Sequence, residues 1–318
     1  MARSPLSRDA EESLAVRAAW LHYAGGLTQA DVAKRLGITG VKAHRLIARA
    51  TEAGLVKVRI DGPIAELVAL EERLAQRFGL DYCEIVPDLT EDAPPYRALG
   101  LAGAAYIQRM IEARPKGVIG VGHGRTLAAA VRELPHLDAA DLRFVSLLGG
   151  LTRNYAANPH DVIHRLAEKT GAQAYVMPVP FFANTVEDRE VLLSQRGVSD
   201  VFRLAASADL MLVGIGTTEP HAQLVSSRMV EMPEITEVRG EGGVGEILGH
   251  FFDQTGRAIK TSLTQRTLSL RLDQLQGRRI VAIAGGTEKT CAIRSVLMSG
   301  LLGGLITEER TAIALVEG

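Results

Sequence analysis

Residues 27–50 read LTQADVAKRLGITGVKAHRLIARA, and this stretch decides the fold of the N-terminal part of the chain. Two short helices packed steeply around a sharp turn need a small residue where they touch, a glycine at the turn and apolar residues facing inward. Ala33 meets the first need, Gly37 the second four residues later, and Val32, Leu36, Ile38, Ala43 and Leu46 the third. The spacing predicts one helix that opens behind Thr28 as N-cap and ends at Gly37. A second helix runs over about 40–53 and stops at Gly54. A further helix over 10–24 precedes them and ends at Gly25-Gly26. Val56-Lys57-Val58-Arg59-Ile60 alternates and reads as a short strand, a wing, and Asp61-Gly62-Pro63 is a turn that marks a domain boundary. The expected domains are therefore a winged helix-turn-helix over 1–61 and a larger body over 62–318.

The helix over 40–53 carries two faces. Ala43, Leu46, Ile47 and Ala50 form an inward stripe, and Lys42, Arg45 and Arg49, at i, i+3 and i+7, lie opposite. A cationic stripe on the second helix of such a pair can reach guanine edges and phosphates in the major groove. Thr39 and His44, near the helix start where base contacts concentrate, and Gln29 complete the candidate DNA contacts. The plainer alternative is a helical hairpin with solvated cations. Charge distribution favours DNA: residues 1–60 hold ten Lys and Arg against five Asp and Glu, while the remainder is net negative.

The body is read from composition and pattern. Of 318 residues, 47% are hydrophobic and only 4% aromatic, so the core must rest on aliphatic side chains. The two cysteines, Cys83 and Cys291, fall in no metal-ligand spacing, so no zinc site is expected. No apolar run reaches the roughly 18 residues of a membrane span, and the N-terminus MARSPLSRDAEE lacks the apolar stretch of a signal peptide. A cytoplasmic protein is the expectation.

After a helix over 64–78, short apolar runs alternate with helical stretches. The runs cover 83–86, 118–121, 144–148, 174–179, 210–215 and 280–284. Buried strands alternating with helices predict a mainly parallel sheet covered on both faces, an α/β fold. Residues 228–245 read as an irregular, glycine-rich loop or lid.

Three strand exits share one chemistry. Residues 118–121 lead into Gly122-His123-Gly124-Arg125-Thr126, 210–215 into Gly216-Thr217-Thr218-Glu219-Pro220, and 280–284 into Gly285-Gly286-Thr287-Glu288-Lys289. Each precedes a helical stretch, and Pro220 suits a first helical turn. Glycine lets backbone N–H groups approach an anion, and a helix N-terminus favours negative charge. Such junctions are common singly, but a parallel sheet brings all of them to one edge, where ligands bind. The first loop lacks the third glycine of a dinucleotide fingerprint and the Gly-Lys-Ser/Thr of a P-loop, so no nucleotide cofactor is expected.

The chain resembles the SorC family of bacterial transcription regulators. The helix-turn-helix is similar to that family's head, and GVGHGRTL, LLGGLTR, GIGTT, GEGGVGEILGHFFD and AGGTEKTCAIRSVLMSGLLGGLITEERTA are similar to its tail, in the same order. KAHRLIARA and PFFANTVEDREVLLSQRGV most resemble regulators of erythritol catabolism. The resemblance implies an effector domain related to sugar-phosphate isomerases and glucosamine-phosphate deaminases, a phosphorylated sugar or polyol effector, operator DNA as partner, and a homo-oligomer, dimer or tetramer. It implies a phosphate loop over Gly122–Leu127 (Gly122, His123, Gly124, Arg125, Thr126 and Leu127), a second loop of Gly216, Thr217 and Thr218, and Lys289 as cationic partner. Glu246 and Asp253 match acidic positions near the sugar hydroxyls, and Arg228 matches a contact to a second phosphate. His123 and Arg125 depart from the small or hydroxyl residues usual in the family, and Gly40 replaces a basic residue at the start of the recognition helix.

An enzyme of the related fold is the alternative, a sugar-phosphate isomerase or deaminase with an appended DNA-binding head. It would need a base poised at a sugar carbon. His160, Asp161 and His164 share a helical spacing but read better as a polar helix face, and the tail lacks the isomerases' paired acidic motif. Binding without turnover is the expectation, with no catalytic residue and no metal.

Overall fold

The computed structural model describes residues 5–56, 64–89, 94–152 and 162–318. The chain divides into two compact units, residues 1–62 and 63–318.

The first unit holds α1 (Pro5–Tyr23), α2 (Gln29–Leu36) and α3 (Gly40–Glu52). Thr28 caps α2 by accepting from the Asp31 amide at 3.2 Å, and its hydroxyl donates to the Asp31 carboxylate at 2.6 Å. Gly37 ends the helix at φ +65°, a conformation that costs an L side chain roughly 1–2 kcal/mol. Thr39 caps α3 by accepting from the Lys42 amide at 3.3 Å. Ala33, Ala43, Leu46, Ile47 and Ala50 are buried together with Ala15, Ala18 and Leu21 of α1, so the inward stripe of the sequence is the core of this unit. The wing strand expected from residue 56 lies, beyond Val56, outside the described residues.

The second unit opens with α4 (Ile64–Phe78) and then alternates: β1 (Tyr82–Val86), α5 (Tyr96–Ala113), β2 (Gly117–Val121), α6 (Arg125–Glu133), β3 (Leu142–Ser146), α7 (Ile163–Thr170) and β4 (Gln173–Tyr175). It continues through α8 (Val186–Ser194), α9 (Arg196–Ala206), β5 (Leu210–Val213), β6 (Gly216–Thr217), α10 (Gln223–Ser226), α11 (Met232–Gly240), β7 (Gly245–Ile247) and β8 (His250–Phe252). The last elements are α12 (Leu272–Leu275), β9 (Ile280–Ile283), α13 (Thr290–Met298), β10 (Gly304–Glu308) and α14 (Glu309–Glu317).

Seven strands form one sheet in the order β1-β10-β9-β5-β2-β3-β4, and every pairing is parallel. Alternation along the strands feeds two cores. Ile119, Val121, Leu210, Leu212 and Ile283 pack with α5, α6 and α7, whereas Val118, Met211, Val213 and Ala282 pack with α4, α9, α13 and α14. Glycines in α5 let the first layer close tightly: a Cβ on Gly103 would lie 2.7 Å from the Ala130 Cβ of α6.

Three readings of the sequence change. Residues 228–245 are not a continuous irregular lid, because they contain α11, whose Glu231 amide donates to the Glu234 carboxylate at 2.9 Å. Pro220 lies in a turn ahead of the one-turn α10 rather than in a first helical turn, and Gly216-Thr217 is a strand. β6, β7 and β8 make a small antiparallel sheet that periodicity did not indicate, and β10, also unforeseen, fills the sheet between β1 and β9.

Candidate functional site

The chain leaves β2 toward β3 on one side and leaves β5 toward β9 on the other, yet β2 and β5 are neighbours. A crevice must open outside the carboxyl ends of two such strands, and ligands bind there in open α/β sheets. The exits of these strands are stitched together, with the Gly122 amide donating to the Leu212 carbonyl at 2.8 Å.

A cavity of about 630 Å³, open mouth included, lies at this place. Gly122, His123, Gly124, Arg125 and Thr126 line it from the β2 exit, and Gly214, Ile215, Gly216 and Thr217 from the β5 exit. Lys289 enters from the β9 exit, and Gln223, Glu246, Leu148, Leu224 and Leu248 complete the wall. Gly124, at φ +131°, turns the chain into α6, so the first amides of that helix open on the loop.

Two charged side chains are drawn into the wall, Lys289 half-buried and Glu246 buried. The Lys289 ammonium donates to the Ile215 carbonyl at 3.5 Å, which ties the β9 exit to the β5 exit. Burial lowers its pKa, and the nearby Arg125 lowers it further. Glu246 is paired in register with Gly216, and a Cβ on Gly216 would stand 2.3 Å from its carboxylate. Burial pushes the Glu246 carboxyl up to about 7, against the pull of the Gly249 amide, which donates to it at 2.6 Å, and of Lys289. Near neutral pH this carboxyl can therefore donate or accept, which suits a hydroxyl partner. Arg125 is exposed and stands over the Tyr96 ring, 5.6 Å from its centroid. His123 packs edge-on against Phe181 at 5.1 Å.

Nine of the thirteen effector residues expected from sequence line this wall, and four are placed elsewhere. Leu127 is fully buried in the core beneath the loop. Thr218 turns its hydroxyl to the Gly243 carbonyl at 2.8 Å and, with Asp253, borders a separate shallow pocket. Asp253 uses its carboxylate on the amides of Thr255 and Arg257, at 2.9 and 3.0 Å. Arg228 is exposed at φ +58° and does not line the cavity. Gln223, which no motif flagged, does line it. His164 is exposed on α7, while His160 and Asp161 lie outside the described residues. Among the described residues no cluster of His, Cys, Asp and Glu could hold a metal ion, and no helix is long and apolar enough to cross a membrane.

In the first unit, Lys42, Arg45 and Arg49 all stand exposed on one face of α3. Glu11 of α1 lies 4.0 Å from Arg45 and 3.4 Å from Arg49. His44 shares a hydrogen bond with Gln29 at 3.2 Å, which joins α3 to the start of α2, and Thr39 serves as the cap of α3.

Comparison with known proteins fits this architecture. A family model described as "Putative sugar-binding domain" matches residues 62–317, and a MarR family model matches residues 18–63. The chain is 61% identical over 308 residues to the erythritol catabolism regulatory protein EryD of Brucella abortus, covering 97% of this chain and 98% of that one. It is 32% identical over 313 residues to the transcriptional regulator LsrR of Klebsiella pneumoniae subsp. pneumoniae, covering 96% and 94%. The crystal structure of the full-length sorbitol operon regulator SorC from Klebsiella pneumoniae superposes with a TM-score of 0.75 at 26% identity, over 96% of this chain and 98% of that one. Sequence, fold and relatives agree, and the chain belongs to the SorC family of sugar-binding transcriptional regulators.

Proposed function

We propose that the first unit reads operator DNA through the exposed face of α3, and that the cavity between the β2 and β5 exits binds a small phosphorylated sugar or polyol that changes operator affinity. One observation carries the effector half: exits of three strands converge on one cavity holding two cations and a carboxyl. Loop amides, Arg125 and Lys289 suit a phosphate, and Glu246 suits the hydroxyls of a carbon chain. The likeness to EryD supports a four-carbon polyol or its phosphate ester as effector. Lys42, Arg45 and Arg49 supply phosphate and base contacts, joined by Thr39, His44 and Gln29 at the approach to the groove.

A single helix-turn-helix covers one half-site, so this reading includes a homo-oligomer, dimer or tetramer, that presents paired heads to a two-fold operator. The protein works in the cytoplasm, where DNA and phosphorylated metabolites meet. Coupling of the usual size, about 1–3 kcal/mol, would change operator affinity roughly 5- to 150-fold.

The test is an anisotropy titration of labelled DNA from upstream of the chain's own gene, repeated with erythritol, erythritol 4-phosphate, and pentose and hexose phosphates. A phosphorylated compound should shift the curve at micromolar to millimolar concentration. If none of the phosphates moves it, the effector half fails, and DNA affinity indifferent to salt would remove the operator half.

A further inference from the structure

Two buried side-chain polar atoms have no hydrogen-bond partner among the described residues, the Gln223 Nε2 and the Tyr96 Oη. Both residues flank Arg125. Tyr96 lies beneath its guanidinium, and the Gln223 Oε1 accepts from the Arg125 backbone amide at 3.3 Å. A buried donor left unmatched is costly, and folded proteins tolerate few.

Gln223 is the one that also lines the cavity. Its orientation follows from chemistry: the Arg125 N–H is a donor, so the carboxamide must turn its oxygen there and its nitrogen away. Arg125 is the first residue of α6, so the carboxamide is fastened to the helix end that opens on the cavity. The structure assigns Gln223 as a specificity residue whose Nε2 donates to a phosphate oxygen held at the N-terminus of α6. This rests on the reading of the cavity as a phosphate-ester site and deepens it. A neutral amide at that point accepts an anion that a carboxylate would repel, and it adds a donor at the helix end itself to those of Lys289 and the Arg125 guanidinium.

The function follows from how the amide is divided. The Oε1 accepts from the Arg125 amide, and the Nε2, buried and unmatched by any described residue, is the donor left for a phosphate oxygen at the helix end. Gln223→Glu preserves the acceptor for Arg125 but replaces the donor with negative charge. Gln223→Met preserves length and removes both.

The experiment is calorimetric titration of the full-length wild type and both variants with erythritol 4-phosphate, inorganic phosphate and erythritol. Operator binding and thermal melting without ligand serve as folding controls. We expect Gln223→Met to weaken erythritol 4-phosphate and inorganic phosphate roughly three- to tenfold, and Gln223→Glu to weaken both by about a hundredfold or more. Affinity for erythritol should stay within about twofold, the scale of a group that makes no contact. Variants that fold, bind operator and hold both phosphates as the wild type does would overturn the assignment while leaving the cavity reading intact. Wild type that binds neither phosphate would overturn the cavity reading and the assignment with it. Equal loss of phosphate and erythritol would show Gln223 to be a packing residue and also overturn it.

Discussion

The Glu308 carboxylate accepts a hydrogen bond from the Gly286 amide at 3.1 Å, so the end of β10 sets the loop that carries Lys289. The Thr311 hydroxyl donates to the same carboxylate and accepts from the same amide at 3.0 Å. Glu308 is only 3% exposed, and a Cβ on Gly285 would collide with its Oε2. Replacing Glu308 by Ala should destabilise the protein by about 1–3 kcal/mol, because a buried amide and a buried hydroxyl lose their shared partner. Urea denaturation measures this. An unchanged midpoint with unchanged slope would contradict the role given to Glu308.

The Glu246 carboxyl makes stability depend on pH. It is held up at about 7 against an ordinary value of 4.5, so between those two the folded protein keeps a proton that the unfolded chain has released. Its contribution is complete below pH 4.5, falls as pH rises toward 7 and is gone above, a span on the order of 3 kcal/mol. Glu246→Gln should flatten that part of the curve. Denaturation midpoints at pH 5, 6, 7 and 8 for both proteins decide it, and parallel curves would remove Glu246 as the source.

Lys289→Met should abolish the effector response while sparing operator binding. The ammonium is the less exposed of the two cations lining the cavity, and on the proposed reading its loss leaves Arg125 as the remaining positive charge for a phosphate. Truncating one partner of such a charge pair typically costs about 2–5 kcal/mol, or roughly 30- to 5,000-fold in affinity. Anisotropy with and without erythritol 4-phosphate reads both properties, and a response within a few-fold of wild type would place the phosphate elsewhere.

Glu11 tempers the cationic face of α3. Glu11→Gln should tighten DNA binding modestly, whereas Lys42→Ala with Arg45→Ala should weaken it and reduce the slope of log affinity against log salt by about 2. The lone tryptophan, Trp20, is 63% exposed in the same unit, so its fluorescence offers a built-in report on the head. A salt slope unchanged by the double substitution would exclude those side chains from phosphate contact.

The readable parts of the sequence were those where one residue type answers one geometric need. Thr28 and Gly37 announce their cap and turn, whereas Thr39, read only as a DNA contact, proves to cap α3, and the glycine exits of β2, β5 and β9 announce the edge on which they meet. β10 went unseen because GLITE ends in polar residues, and its Glu308 is buried against the Gly286 amide from the β9 exit as well as its neighbour Thr311. β6, β7 and β8 span two or three residues each, too few for a period. Family likeness could name Asp253 and Arg228, but backbone contacts claim one and a left-handed turn carries the other away from the cavity. Gln223 has no motif around it, since its meaning arises only when Arg125 arrives from the other side of the fold.

The C-terminal helix α14 holds Thr311 on one side and packs against α4 on the other, where the Arg77 guanidinium donates to the Val316 carbonyl. The anchor of the Lys289 loop and α4 thus lean on one and the same helix. Cutting the chain before α14 should therefore slacken the Lys289 loop and unseat α4 in a single stroke, which a fall in the melting temperature would report.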